Sequence, residues 1–205
     1  ARLTAAGVSD ILGKYIALAD WKIASILMDE YYCTAVVDLE TKAIRTVKDN
    51  LKEIAAGEKD ACEKLMYALI LSGLAMQMTG NSRPASGAEH HMVHLWDMEV
   101  VNGHLDALHG EKVSAATMLV LLEYKKLADA IRRGACRVHA FTDGDRELLQ
   151  ETFGRKGILG ALEKENTPEL LDDVSTETLS GALPEILKII DLLPAVTDMQ
   201  EMMSI

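Results

Sequence analysis

The chain has 205 residues, of which 49% are hydrophobic and 4% aromatic, and its formal net charge is −11. Abundant Ala, Leu, Ile and Met with few aromatic residues favour helices over sheets. The acidic balance argues against a nucleic-acid partner, because such proteins need a basic surface to neutralise phosphates. No apolar run is long enough to cross a membrane and no secretory signal is visible, so we expect a cytoplasmic protein without a membrane partner.

Helical periodicity of the apolar residues predicts five long helices near residues 10–27, 30–50, 59–79, 86–101 and 110–133. We expect Ser9 or Asp10 to cap the first helix, because short polar side chains accept hydrogen bonds from the free N–H groups there. The third helix carries a stripe that allows close packing against a neighbouring helix and consists of Leu65, Leu69, Ser72, Gly73 and Met76.

The last third of the chain has a less regular pattern. Residues 138–141 are the only stretch with an extended pattern, and a short helix over 143–153 and a turn over 154–160 follow. Pro184 is expected at the start of the last helix, where its missing N–H has no cost, and Pro194 interrupts that helix near its end. No internal repeat or low-complexity linker is visible, so the sequence predicts one all-α domain over residues 1–205.

The histidines are concentrated in one short region. Five of the six lie between His90 and His109. His90 and His94 are one turn apart and share a helical face. Two histidines and a carboxylate commonly hold a catalytic divalent cation and leave a position open for substrate. The residues alone therefore predict a metal or substrate site here, and which of the histidines converge stays open.

Three separated segments resemble the metal-dependent polyol dehydrogenases of the iron-containing alcohol dehydrogenase and glycerol dehydrogenase superfamily. They are GVSDILGKY at 7–15, SRPASGAEH at 82–90 and LHGEKV at 108–113. The long second segment narrows the resemblance to the sn-glycerol-1-phosphate dehydrogenases, and the similarity extends from about Leu3 to Glu123. The fold implied is the multi-helix C-terminal domain of dehydroquinate-synthase-like and iron-containing alcohol dehydrogenase proteins.

The resemblance also implies a set of functional residues. Asp10, His90 and His109 correspond to the metal ligands, so their side-chain tips should lie within about 4–5 Å of one another. Zinc, nickel and iron(II) all suit this donor set. Asp10 and His94 correspond to the catalytic, substrate-contacting residues. The implied reaction is hydride transfer between NAD(P)H and dihydroxyacetone phosphate, a small phosphorylated ketose.

For the other basic residues and histidines, the expected roles are less specific. Arg83 and Lys14 are candidate phosphate contacts, with a purely structural role as the alternative. His91 is expected at the surface or beside the ligands, and His104 and His139 receive no role.

Members of this superfamily carry an α/β nucleotide-binding domain ahead of the Asp10 segment, and no glycine-rich phosphate-binding loop occurs in this sequence. We therefore expect the chain to correspond to the metal-binding half, to meet NAD(P) only through the other domain and to be inactive alone. Such a half should expose an apolar face and form a homo-oligomer. Two alternatives stay open: a helical scaffold with a relic metal site, and a metal-dependent hydrolase.

Overall fold

The computed structural model describes residues 1–98, 104–137, 146–154, 159–160 and 175–205. Every regular element within these ranges is helical, which confirms the predicted all-α fold for the described part of the chain. In chain order the helices are α1 (Arg2–Met28), α2 (Thr34–Lys48), α3 (Leu51–Ala55), α4 (Lys59–Thr79), α5 (Ala88–Asp97), α6 (His109–Arg132), α7 (Arg146–Phe153), α8 (Thr176–Ile190) and α9 (Val196–Met203). Among the described residues, no helix has the length and apolar character that crossing a bilayer requires.

Helix α1 lies at the centre of the fold. It packs against α2, α4, α5, α6, α8 and α9. Ile11, Leu12 and Ile16 are completely buried in the largest apolar cluster, together with side chains from α2, α4, α6 and α9. Any polar side chain that α1 carries toward α5 or α6 is therefore held on a rigid support.

Helices α1 and α6 approach each other closely at two glycines. A Cβ atom at Gly110 would lie 2.5 Å from the carbonyl carbon of Ala6 and 2.8 Å from its Cα, and closer still to the carbonyl oxygen. A Cβ atom at Gly13 would lie 2.7 Å from Cγ1 of Val113. The first turn of α6 thus rests directly on the backbone of α1.

An ion pair strengthens the same junction. Arg2 donates from Nε and Nη2 to Glu111 Oε1 and Oε2 at 2.6 and 2.8 Å, and Leu108 N–H donates to Glu111 Oε2 at 2.8 Å. The hydrogen bond from Arg2, together with the one from the Leu108 N–H, lowers the pKa of Glu111 to about 2.

This ion pair predicts a pH dependence of stability. Because the folded-state pKa of Glu111 is depressed, its contribution is complete above the ordinary glutamate pKa of about 4.3 and is lost as the pH falls toward 2. We expect Arg2→Gln to lower the melting temperature modestly at pH 7, since the pair is exposed. The difference from wild type should shrink below pH 4 in melting curves followed by circular dichroism, and a constant difference down to pH 2 would contradict this.

The predicted start of the first helix is wrong. Helix α1 begins at Arg2, and Ser9 and Asp10 lie inside it rather than at its cap. The preceding turns are helical because they are packed, with Ala6 and Val8 buried against neighbouring helices. Tertiary contacts thus extend the helix beyond the capping signal read from the sequence.

The predicted position of Pro184 is also wrong. Pro184 lies inside α8, which begins at Thr176. Ser175 caps this helix, because its Oγ accepts the N–H of Thr178 at 3.1 Å. Ile186 and Ile190 are buried beyond the proline, so packing supports a helix that lacks one internal hydrogen bond.

The remaining boundaries agree to different degrees. The predicted helices 59–79 and 110–133 match α4 and α6 within one residue. Helix α2 begins at Thr34 rather than residue 30, because the chain turns at Asp29, whose φ is 52°. Helix α5 covers 88–97 of the predicted 86–101, and residues 99–103 lie outside the described part of the chain. The stretch 138–141 and most of the predicted turn 154–160 also lie outside it.

Helix α4 carries a row of exposed apolar side chains. They are 46–65% exposed and comprise Met66, Tyr67, Ile70, Leu74 and Met78. Gly73 lies on the same helix, and no described atom beyond its own helical backbone would come within 4 Å of a Cβ there. The predicted stripe therefore packs closely at Leu65 and Ser72, which are buried, but not at Gly73. The exposed row is the kind of apolar face that was expected. A homo-oligomer stays a prediction, which sedimentation equilibrium would test.

Candidate metal centre

Asp10, His90 and His109 converge from three helices. One potential ligand atom from each lies within 4.8 Å of the others. The Nε2 atom of His90 lies 3.4 Å from Asp10 Oδ1, and the Nε2 atom of His109 lies 3.8 Å from the same oxygen. These separations fall in the expected range of about 4–5 Å or below, as an ion with ligand distances near 2.0–2.2 Å requires. The role of the three residues as ligands stays a prediction.

The three side chains differ in their exposure to solvent. The side chain of His90 is 8% exposed, that of Asp10 21% and that of His109 47%. Asp10 is carried by the central helix α1, and His109 is the first residue of α6, directly before Gly110. One side of the cluster is therefore closed by protein, and the His109 side opens to solvent.

A carboxylate lies beside the second ring nitrogen of each imidazole. His90 Nδ1 is 2.7 Å from Glu89 Oε1, and His109 Nδ1 is 3.6 Å from Asp97 Oδ2. An N–H on Nδ1 that points to the carboxylate leaves Nε2 with its lone pair directed at Asp10. Carboxylates commonly orient metal-binding histidines in this way. The donor set and its supporting carboxylates therefore fit a divalent cation.

Asp10 keeps its charge because of its neighbours. Lys14 is 3% exposed, and its Nζ donates to Asp10 Oδ2 at 3.0 Å. Burial alone would raise the pKa of Asp10, but the hydrogen bond that the protonated ring of His90 donates and the charge of Lys14 outweigh burial and lower it. The lysine occupies Oδ2 and leaves Oδ1 for the two histidines.

The start of α5, which positions His90, is held by a second, partly buried acid. Asp20 Oδ2 accepts the N–H of Ala88 at 2.6 Å, and Asp20 Oδ1 accepts the hydroxyl of Tyr124. A Cβ at Gly87 would lie 2.5 Å from Asp20 Oδ2 and 2.9 Å from the Cα of Ala17. Burial raises the pKa of Asp20. These contacts explain why α5 begins at Ala88, two residues later than predicted.

His94 lies beside the cluster but outside the group of three. Its ring centroid is 6.1 Å from that of His90 and 6.5 Å from that of His109. The residue is exposed, and burial of part of the ring, with the two neighbouring imidazoles, lowers its pKa. This placement is compatible with the predicted contact to substrate. His91 is exposed, as expected.

The two candidate phosphate contacts both have carboxylate partners. Arg83 donates from Nε and Nη2 to the two carboxylate oxygens of Glu30, each at 2.7 Å. Lys14 is bonded to Asp10, as described above. The structural alternative therefore accounts for both cations. His104 is exposed, and His139 lies outside the described residues.

Two residues that the sequence interpretation missed support the site. Glu89 lies inside the SRPASGAEH segment and is fully buried beside His90. Asp97 lies one turn after His94 and also accepts a hydrogen bond from Lys112 Nζ at 2.5 Å. The sequence signal that could have found these two residues is a carboxylate close to a candidate histidine, because metal-bound histidines usually have a carboxylate partner.

Comparison with known proteins shows which enzymes are similar to this chain. No family model matches the chain. It is 44% identical over 127 residues to a glycerol-1-phosphate dehydrogenase (NAD(P)+) of Halalkalibacterium halodurans, a match that covers 62% of this chain and 32% of that protein. A protein of the same name from Bacillus velezensis is 36% identical over 180 residues, which cover 85% of this chain and 44% of the relative. The chain is homologous to glycerol-1-phosphate dehydrogenases.

This finding confirms the resemblance read from the three segments. A glycerol-1-phosphate dehydrogenase of Pyrococcus horikoshii is also similar, with 35% identity over 157 residues. The chain spans between about a third and somewhat under half of the length of these dehydrogenases.

The pairing of Glu89 with His90 yields a prediction. Glu89→Gln should weaken zinc binding by about 10–100-fold, because the amide no longer orients the imidazole as a carboxylate does. Calorimetric titration with zinc measures the effect. Glu123→Gln, an exposed site on α6 outside the cluster, removes the same charge and should leave the affinity unchanged. Equal affinities of Glu89→Gln and wild type would show that Glu89 does not support the site.

Proposed function

We propose that the chain is the metal- and substrate-binding part of an NAD(P)-dependent glycerol-1-phosphate dehydrogenase. The observation that carries the proposal is the convergence of Asp10, His90 and His109 with both Nε2 atoms facing Asp10 Oδ1. The reaction is reversible hydride transfer between a nicotinamide and C2 of dihydroxyacetone phosphate. The names of the homologous proteins supply the substrate and the cofactor.

Asp10, His90 and His109 would hold a divalent cation, with zinc, nickel or iron(II) as candidates. Such an ion, when bound, supplies a Lewis acid that polarises a carbonyl oxygen and favours the charge that develops on it. Lys14 keeps Asp10 ionised and turned toward the histidines, and Glu89 and Asp97 keep the imidazoles in the matching tautomer.

His94 is proposed as the residue that moves a proton. It is exposed beside His90 and His109, and its lowered pKa leaves the ring neutral at neutral pH. A neutral imidazole accepts a proton from a substrate hydroxyl or, once protonated, returns it. Asp10 and His94 therefore remain the proposed substrate-contacting residues.

The nicotinamide contacts are proposed to come from outside the residues of this chain. No glycine-rich loop of a dinucleotide-binding unit occurs in the sequence. The same proposal includes three further expectations for the chain: a single domain over residues 1–205, a homo-oligomeric state and a cytoplasmic location.

Binding of metal and substrate tests the proposal. The chain should bind zinc in calorimetric titration and should bind dihydroxyacetone phosphate only when zinc is present. His94→Ala should keep zinc affinity and lose substrate affinity. Failure to bind zinc would favour a helical scaffold. Release of inorganic phosphate from the substrate would favour a metal-dependent hydrolase.

The electrostatics of His90 predict how zinc binding depends on pH. Burial alone would lower the pKa of His90, but the hydrogen bonds with Asp10 and Glu89 outweigh burial and raise it. Below the folded-state pKa the proton on Nε2 competes with the ion, so affinity should already fall at a pH above the ordinary value of about 6.5. Titrations in two buffers of different ionisation enthalpy should show proton release at pH 7. Binding without proton uptake or release would contradict this.

A further inference from the structure

A cleft on the other side of α1 is lined by apolar side chains. It lies between α1, α2 and the connection from α8 to α9, and its volume is about 650 Å³. Leu18, Val37, Ile44 and Leu193 are among its apolar lining residues. No residue of α5 or α6 lines it, so it is separate from the candidate metal centre. The volume is within the range of roughly 300–1,000 Å³ that is typical of small-molecule sites.

Basic side chains line the same cleft. Lys22, Arg45 and Lys48 are all lining residues, against Asp49 as the one carboxylate among them. Within the described ranges, no carboxylate oxygen lies within 4.0 Å of these three cations. The Nζ atom of Lys22 lies 4.7 Å from the ring centroid of Tyr32, which also lines the cleft. Among the described residues, none of these three cationic groups forms an ion pair with a carboxylate.

This concentration of positive charge contrasts with the rest of the chain, whose net charge is −11. Isolated lysines and arginines on a surface are usually just solvated. Three of them around an apolar cavity create a local field that attracts anions, while the hydrophobic walls favour an apolar group. The combination matches a molecule with a negatively charged head and an apolar body.

We propose that this cleft binds a single-chain anionic amphiphile, a molecule with an alkyl tail and a carboxylate or phosphate head. The tail packs against the side chains of Leu18, Val37 and Leu193, and the head is paired with Arg45 and Lys22. The proposal does not depend on the metal centre or on the dehydrogenase reaction.

Titration calorimetry with decanoate, below its micelle concentration, tests the proposal on the whole chain. Decanoate should bind at one saturable site, and acetate and inorganic phosphate should bind far more weakly because they lack the tail. Decanol should bind about tenfold more weakly, because it lacks the charge that the cations recognise. Decyltrimethylammonium is the decisive comparison: nonspecific attraction to an acidic protein would favour it over decanoate, and that preference would overturn the proposal.

Two double variants test whether decanoate binds in this cleft. Lys22→Gln with Arg45→Gln should weaken decanoate binding by about tenfold or more. Lys52→Gln with Arg133→Gln removes the same charge at exposed positions that do not line the cleft, and should leave binding unchanged. Equal loss in both double variants would show that only net charge matters, and an absence of decanoate binding by the wild type would also overturn the proposal.

Discussion

Replacing His90 by alanine is expected to weaken zinc binding by at least about a hundredfold, because changes in the groups that merely support such ligands already cost about 10–100-fold. His90 is the least exposed of the three candidate ligands and the only one whose Nδ1 is within 2.7 Å of a buried carboxylate in the described structure. Its loss removes a donor and leaves Glu89 without its partner. Calorimetry or competition with a chelating dye measures the affinity.

His91→Ala is the matched control for this variant. It removes an imidazole from the same helix, one residue away, but His91 is exposed and lies outside the cluster. Zinc affinity should be that of the wild type. Equal affinities of His90→Ala and His91→Ala would remove His90 from the site and would undermine the functional proposal.

The second large effect is expected at Gly110. Alanine is normally the better helix residue by about 1 kcal/mol. Here its Cβ would overlap the backbone of Ala6, which cannot move without displacing α1. We expect Gly110→Ala to lower the free energy of unfolding by about 3 kcal/mol, at the upper end of overpacking costs. Because His109 precedes this residue, zinc affinity should fall as well.

Gly73→Ala is the control for Gly110→Ala, because it adds the same Cβ to a helix without a steric clash and so measures the helix preference for alanine alone. Gly73 also lies within a helix, and no described atom beyond its own helical backbone would come within 4 Å of its Cβ. This variant should be stabilised by about 0.5–1 kcal/mol in urea denaturation, with unchanged zinc affinity. If Gly110→Ala were also stabilised, the close approach of α1 and α6 would be disproved.

The sequence predicted the helices best where the apolar period is long and uninterrupted. The predicted 59–79 is the observed extent of α4, and α6 is displaced by one residue. The errors at Ser9 and Pro184 have a common cause. Local rules place caps and prolines at helix ends, whereas burial of Val8 and Ile186 extends α1 and α8 past those signals.

In the candidate site too, local sequence patterns predicted only part of the arrangement. Helical spacing indicates that His90 and His94 share a face, but periodicity cannot bring His109 from the next helix to the same point. The resemblance to the dehydrogenases suggested that convergence, and the close contact of Gly110 with Ala6 is its physical basis. The partnership of Asp97 with His109 depends on how α5 meets α6, which no local pattern reveals.

The unequal exposure of Asp10, His90 and His109 has a kinetic consequence. Among the described residues, the cluster is most open to solvent at the half-exposed His109, because His90 and Asp10 are less exposed, so we expect an ion held there to leave on that side. His94 lies beside the same opening, so a substrate bound there would also stand in the path of the departing ion. Removal of zinc by a chelator should then be slower in the presence of dihydroxyacetone phosphate, and the substrate would act as a gate for its own metal.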